Sequence, residues 1–107
     1  MTLGRHGAAR ATNREQVLDT LRMHRATLAE RFGVTSLALF GSFARDAATD
    51  ASDIDILVRF DGPATADVFF GTQFYLEDLL GRRVDLVTEK ALRKEFRPSV
   101  EKDAIGV

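Results

Sequence analysis

Three acidic residues in this 107-residue chain stand where apolar ones would be cheaper. In Ser52-Asp53-Ile54-Asp55-Ile56-Leu57-Val58, strand alternation sends Asp53, Asp55 and Leu57 to one face and Ile54, Ile56 and Val58 to the other. Two carboxylates roughly 7 Å apart along a strand repel each other and lose hydration unless a cation neutralises them. Magnesium suits the position, because it takes hard oxygen ligands, usually one or two carboxylates with phosphate oxygens and water. Asp85 repeats the pattern: Val84 and Leu86 beside it face the opposite side of their own strand. If that strand lies beside the first, Asp85 joins the other two acids, and three carboxylates can hold a pair of ions.

Gly41-Ser42 supplies the complementary half. It follows the apolar run Thr35 to Phe40 and precedes a segment able to form a short helix, so free backbone N–H groups and the positive end of a helix dipole meet there. Such a corner binds phosphate. Glycine allows close approach, and serine caps the helix or donates its hydroxyl to a phosphate oxygen. Alone, a Gly-Ser pair after a strand is an ordinary turn and an Asp-x-Asp an ordinary solvated strand end. Together, with the ten residues Phe43 to Ser52 between them, they fit a chain that leaves one strand and returns on its neighbour.

The elements that must position these groups follow from periodicity. Thr12 and Asn13 are both good N-caps, with Thr12-x-x-Glu15 as a capping box, ahead of a helix whose apolar series runs Val17, Leu18, Leu21, Leu28, Phe32 and closes at Gly33. A buried strand spans Thr35 to Phe40, a short helix Phe43 to Ala48, a turn Thr49 to Ser52, and a second strand Asp53 to Phe60. After the breaker Asp61-Gly62-Pro63, Ala64 to Leu80 has helical spacing, with Gly81 as its cap. Arg83 to Thr88 reads as a third strand and Glu89 to Phe96 as a helix ending before Pro98, which can itself start a last short helix. One α/β (α+β) domain is expected over 13–107, a small sheet with helices packed on it, preceded by a disordered tail over 1–12.

Composition narrows the function further. Fifteen basic and sixteen acidic residues nearly cancel, so no global field draws the chain to nucleic acid or an anionic membrane, and neither is expected as a partner. Without cysteine there are no disulfides, thiolate zinc sites or cysteine nucleophiles. No apolar run approaches the roughly 20 residues of a membrane span, and no signal-peptide pattern is evident, so a soluble, cytoplasmic protein is expected. His6 and His24 are too far apart to suggest a metal pair and are expected to face solvent. Phe69, Phe70, Phe74 and Tyr75 are too many for one helix face to bury, which hints at a homo-oligomer or partner contact.

Gly-Ser-Phe-Ala-Arg at 41–45 followed by Ser-Asp-Ile-Asp-Ile-Leu-Val at 52–58 resembles the signature of the DNA polymerase β-like nucleotidyltransferase superfamily, and the short chain is similar to its minimal nucleotidyltransferase family over about residues 14 to 105. The resemblance implies a mixed sheet flanked by helices, and magnesium-dependent transfer of a nucleoside monophosphate from a triphosphate. Residue by residue, it implies that Gly41 and Ser42 hold the triphosphate, that Asp53 and Asp55 bind both metal ions, and that Asp85 binds the ion at the attacking oxygen and helps deprotonate the acceptor. Arg45 matches an arginine of the motif and either touches phosphate or a partner, or is an exposed helix residue paired with a nearby acid. Ser52 either contacts nucleotide or, the more economical reading, caps its turn. Asp46 departs from the pattern, since family members often have glycine there.

The resemblance points to antitoxins encoded beside HEPN ribonuclease toxins, which modify a toxin tyrosine with AMP from ATP. The first functional expectation is therefore a protein adenylyltransferase. A different class is a catalytically silent binding module that neutralises its partner by contact alone. Transfer to a small molecule is disfavoured because no acceptor domain is evident, and a glycosyltransferase-type Asp-x-Asp because that fold needs a far longer chain.

Overall fold

The structure, a computed structural model, describes residues 10–107. Its elements run α1 (Arg14–Phe32), β1 (Val34–Phe40), α2 (Gly41–Ala44), β2 (Ile54–Phe60), α3 (Ala66–Leu80), β3 (Val84–Thr88), α4 (Arg97–Asp103) and β4 (Ile105–Gly106). The strands form one mixed sheet in the order β3-β2-β1-β4, in which β1 pairs antiparallel with β2 and β4 while β2 and β3 are parallel.

Local chemistry sets the helix ends. Asn13 rather than Thr12 caps α1, its side chain accepting from the Gln16 N–H, while the Gln16 side chain accepts from the Thr12 N–H and hydroxyl. The expected capping box is thus shifted by one residue, with Gln16 in place of Glu15 as the reaching side chain. Gly33 and Gly81 close α1 and α3 at φ 72° and 65°, left-handed conformations that glycine adopts without steric cost. Thr65 caps α3 by accepting from the Val68 N–H.

One face of the sheet builds the core. Leu37 and Leu39 of β1, Ile54, Ile56 and Val58 of β2, and Val84 and Leu86 of β3 join Val17, Leu18, Leu21 and Leu28 of α1 and Leu76 and Leu80 of α3 in one buried cluster. The edge strand β3 is guarded from α3: the Glu77 carboxylate accepts from the Val84 N–H and the Gln73 amide donates to the Val84 carbonyl, so this stretch of edge backbone is satisfied within the domain. Among the described residues, no helix is long and apolar enough to cross a membrane.

Several further points differ from the sequence reading. Glu89 to Phe96 forms turns instead of a helix, with the Thr88 side chain accepting from the Ala91 N–H. Only Leu92 and Phe96 among its larger side chains are apolar, too narrow a stripe to hold a helix on the sheet. The helix begins at Arg97, with Pro98 in its first turn. The two-residue strand β4 was not anticipated; its pairing with Ala38 and Leu39 depends on long-range contact rather than pattern. Of the segment 1–12, residues 1–9, with His6, lie outside the described residues, while Ala11 is buried and its N–H donates to the Leu80 carbonyl. His24 is half-buried rather than solvent-facing, its ring edge-on to Tyr75 and its Nδ1 3.0 Å from the Thr20 carbonyl.

Candidate active site

Strand register brings the acidic residues together. Asp55 and Asp85 are direct partners across the parallel β2–β3 pair, and Phe40, the last residue of β1, is the partner of Asp55 on its other side. Asp55 thus lies mid-sheet, one step from where β1 ends and α2 begins. Asp53 sits just ahead of β2, exposed, and Asp85 is exposed on the same face as Asp55. The adjacency of the second and third strands, assumed from sequence, holds.

Gly41 and Asp55 are fitted to each other. Gly41 has φ 75°, and a Cβ built on it would overlap Asp55 Oδ2 and stand 2.9 Å from Asp55 Cγ. The acid therefore rests against the backbone at the start of α2, in the space that any side chain at 41 would take. Ser42 is half-buried in the first turn. Phe40, the N-cap, makes no side-chain capping hydrogen bond to the first turn of α2 among the described residues.

Charge crowding is visible in the Asp55 carboxyl, which is pushed up from 3.8 to about 6. Burial is the largest cause, followed by the negative charges of Asp85 and Asp53 and a hydrogen bond with Asp85 that favours the protonated form; Arg45 acts in the opposite direction. Arg45 donates to Asp103 Oδ2 at 2.7 Å, tying the end of α2 to α4. It also helps to line a cleft of about 330 Å³ with Gly41, Asp85, Val87, Leu92 and Phe96. Arg45 therefore pairs with an acid while also facing the cleft beside Gly41. Ser52 takes the turn role, its hydroxyl accepting from the Thr49 N–H at 2.9 Å.

Among the described residues, no three acidic or histidine side chains are gathered tightly enough, as they stand, to enclose an ion. The donor set nevertheless fits magnesium: the side chains brought together offer carboxylate oxygens, and Asp55 retains its proton above the ordinary carboxylate range because burial and the charges of Asp85 and Asp53 outweigh the opposing charge of Arg45.

Two features escaped the sequence reading. Asp46 adopts φ 59°, a left-handed conformation uncommon outside glycine. Arg82, 7% exposed, donates to the carbonyls of Ala11, Asp50 and Ser52 and lies over the Phe43 ring. Nothing in Gly81-Arg82-Arg83 distinguishes the buried arginine from the exposed one. Of the aromatic residues on α3, Tyr75 packs on Phe32 and His24 of α1, while Phe70 and Phe74 stack with centroids 6.3 Å apart and remain 50% and 62% exposed.

Comparison with known proteins places these features in context. Residues 21–107 match the nucleotidyltransferase domain family. A protein of Methanocaldococcus jannaschii, provisionally named a protein adenylyltransferase, is 44% identical over 93 residues, covering 86% of this chain and 95% of its own. The protein adenylyltransferase MntA of Thermococcus cleftensis is 39% identical over 93 residues, covering 87% and 94%. Among solved structures, one described provisionally as a minimal nucleotidyltransferase superposes with a TM-score of 0.75 at 35% identity, over 97% of this chain and all of the other. The antitoxin in a complex of a tri-AMPylated Shewanella oneidensis HEPN toxin with an MNT antitoxin shares the fold, with a TM-score of 0.55 at 20% identity over 88% of this chain and 67% of the other.

Proposed function

The chain belongs to the nucleotidyltransferase domain family, and on that premise we propose that it is a cytoplasmic protein adenylyltransferase, moving AMP from ATP to a tyrosine hydroxyl of a HEPN-type toxin for which it is the antitoxin. The observation that carries the reading is the juxtaposition of Asp55 and Asp85, in register on adjacent strands, with Gly41 closed against Asp55. The names of the relatives support AMP transfer to protein, and the AMPylated HEPN complex supports the partner class.

In this reading the backbone at Gly41 and the Ser42 hydroxyl hold the triphosphate at the start of α2. Asp53, Asp55 and Asp85 would hold magnesium, which when bound supplies positive charge to the attacking and leaving oxygens. The acceptor oxygen attacks the α-phosphorus; its new P–O bond forms as the bond to the β-phosphate oxygen breaks and pyrophosphate leaves. Asp85, exposed and lining the cleft, takes the hydroxyl proton. No protein nucleophile takes part.

A contact-only reading draws on one observation: Phe70 and Phe74 offer an uncovered aromatic surface. One experiment separates the readings. Incubation with the HEPN-type product of a neighbouring gene, ATP and magnesium should raise the partner's mass by whole AMP units. An unchanged mass, with neutralisation intact in an Asp53→Asn/Asp55→Asn double variant, would leave contact alone as the mechanism.

A further inference from the structure

Arg82 is a buried cation whose partners are carbonyl oxygens. Its Nε donates to Ala11 O, and one guanidinium nitrogen lies 3.0 Å from Ser52 O, 3.1 Å from Asp50 O and 3.5 Å from Thr49 O. The guanidinium carbon stands 5.1 Å from the centroid of Phe43. Burying a charge is costly, and an apolar side chain could fill the space at less cost. The places it touches explain its retention. Ser52 immediately precedes Asp53, and Phe43 immediately follows Ser42. The same planar group therefore grips the carbonyls of the turn that presents one metal-binding acid and stacks on the helix that presents the phosphate-binding corner.

We infer that Arg82 is a positioning residue for nucleotidyl transfer, fixing the turn Thr49 to Ser52 against Phe43 of α2 so that Asp53 is held at a set distance from Gly41-Ser42. This rests on the adenylyltransferase reading, and it assigns no contact between Arg82 and substrate. A lysine cannot reproduce the grip, because a single ammonium has neither the planar fork nor the flat stacking face.

The test compares wild type, Arg82→Lys and Arg82→Ala in AMP transfer to the HEPN-type partner, with melting curves to establish the folded fraction. In parallel, calorimetry measures magnesium-dependent binding of a non-hydrolysable ATP analogue. Arg82→Lys is expected to stay folded, to lose kcat on the order of 10²-fold through misplaced groups, and to change KM for ATP by less than about threefold, since the phosphate corner itself is intact. Magnesium should tighten analogue binding less in this variant than in wild type, and added guanidinium ion should restore part of the rate to Arg82→Ala. The inference is overturned by a wild-type kcat in Arg82→Lys, by a loss that matches the unfolded fraction, by a rate in Arg82→Ala that guanidinium does not move, or by both variants failing to fold, which would make Arg82 a folding staple only. If wild type itself transfers no AMP, the functional reading fails. The magnesium effect on analogue binding then decides Arg82 separately, an unaltered effect in Arg82→Lys counting against it.

Discussion

On one face of β2, Ile54, Ile56 and Val58 are wholly buried, whereas on the other Asp55 and Leu57 are half-buried and Asp53 is exposed ahead of the strand. The first set gains its place from apolar burial, worth about 1.5–3 kcal/mol for each such side chain. The second includes an acid whose charge its own surroundings oppose. Seven residues thus carry two separable duties, and a substitution on one face should leave the other duty nearly intact.

The sharpest way to break that separation is Asp55→Asn. On the proposed function, AMP transfer is expected to fall by on the order of 10³-fold or more, because an oxygen that would bind metal is lost while the shape stays; a variant that still labels its partner at close to the wild-type rate would remove Asp55 from the site. Ile56→Ala should do the reverse. It is expected to cost about 2–5 kcal/mol of stability, seen as a lower urea midpoint, with normal kcat in the fraction that remains folded; a kcat defect there would show that the faces are coupled.

A subtler contrast is in pH dependence. Asp55 titrates near 6 in the folded protein against 3.8 ordinarily, so the native state binds more protons than the unfolded chain between those values. Its contribution to stability is therefore fully present below 3.8 and is lost as pH rises through about 6, in the absence of metal. Metal-free wild type should lose melting temperature across that window relative to Asp55→Asn, which has nothing to titrate at that position. Parallel profiles for the two proteins would show that burial and the neighbouring acids do not raise Asp55. The smallest effect is expected at Asp46→Gly, where removal of the side chain relieves a left-handed residue at φ 59°. A gain of roughly 0.5–1 kcal/mol in chemical denaturation is expected, without loss of transfer.

Much of this arrangement was legible because its physical causes are local. Alternation at 53–58 placed the acids, and the glycines at 33 and 81 announced helix ends that only a left-handed residue closes easily. Gly41 could be suspected of bringing backbone near a ligand, but that its missing side chain makes room for Asp55 depends on β1 and β2 being antiparallel neighbours. Arg82 was opaque for the same reason: its acceptors lie 30 to 71 positions away. Glu89 to Phe96 misled because its residues favour helix individually, whereas too little apolar surface is present to dock one.

Asp55 and Asp85 belong to strands joined through α3, so their meeting is an event of tertiary closure and not of any single hairpin. A chain that has made β1 and β2 but not yet docked β3 has only part of the acidic set. Bringing the two acids together therefore takes the same step that adds Val84 and Leu86 to the apolar core, so assembly of the acidic pair and completion of the core are one event.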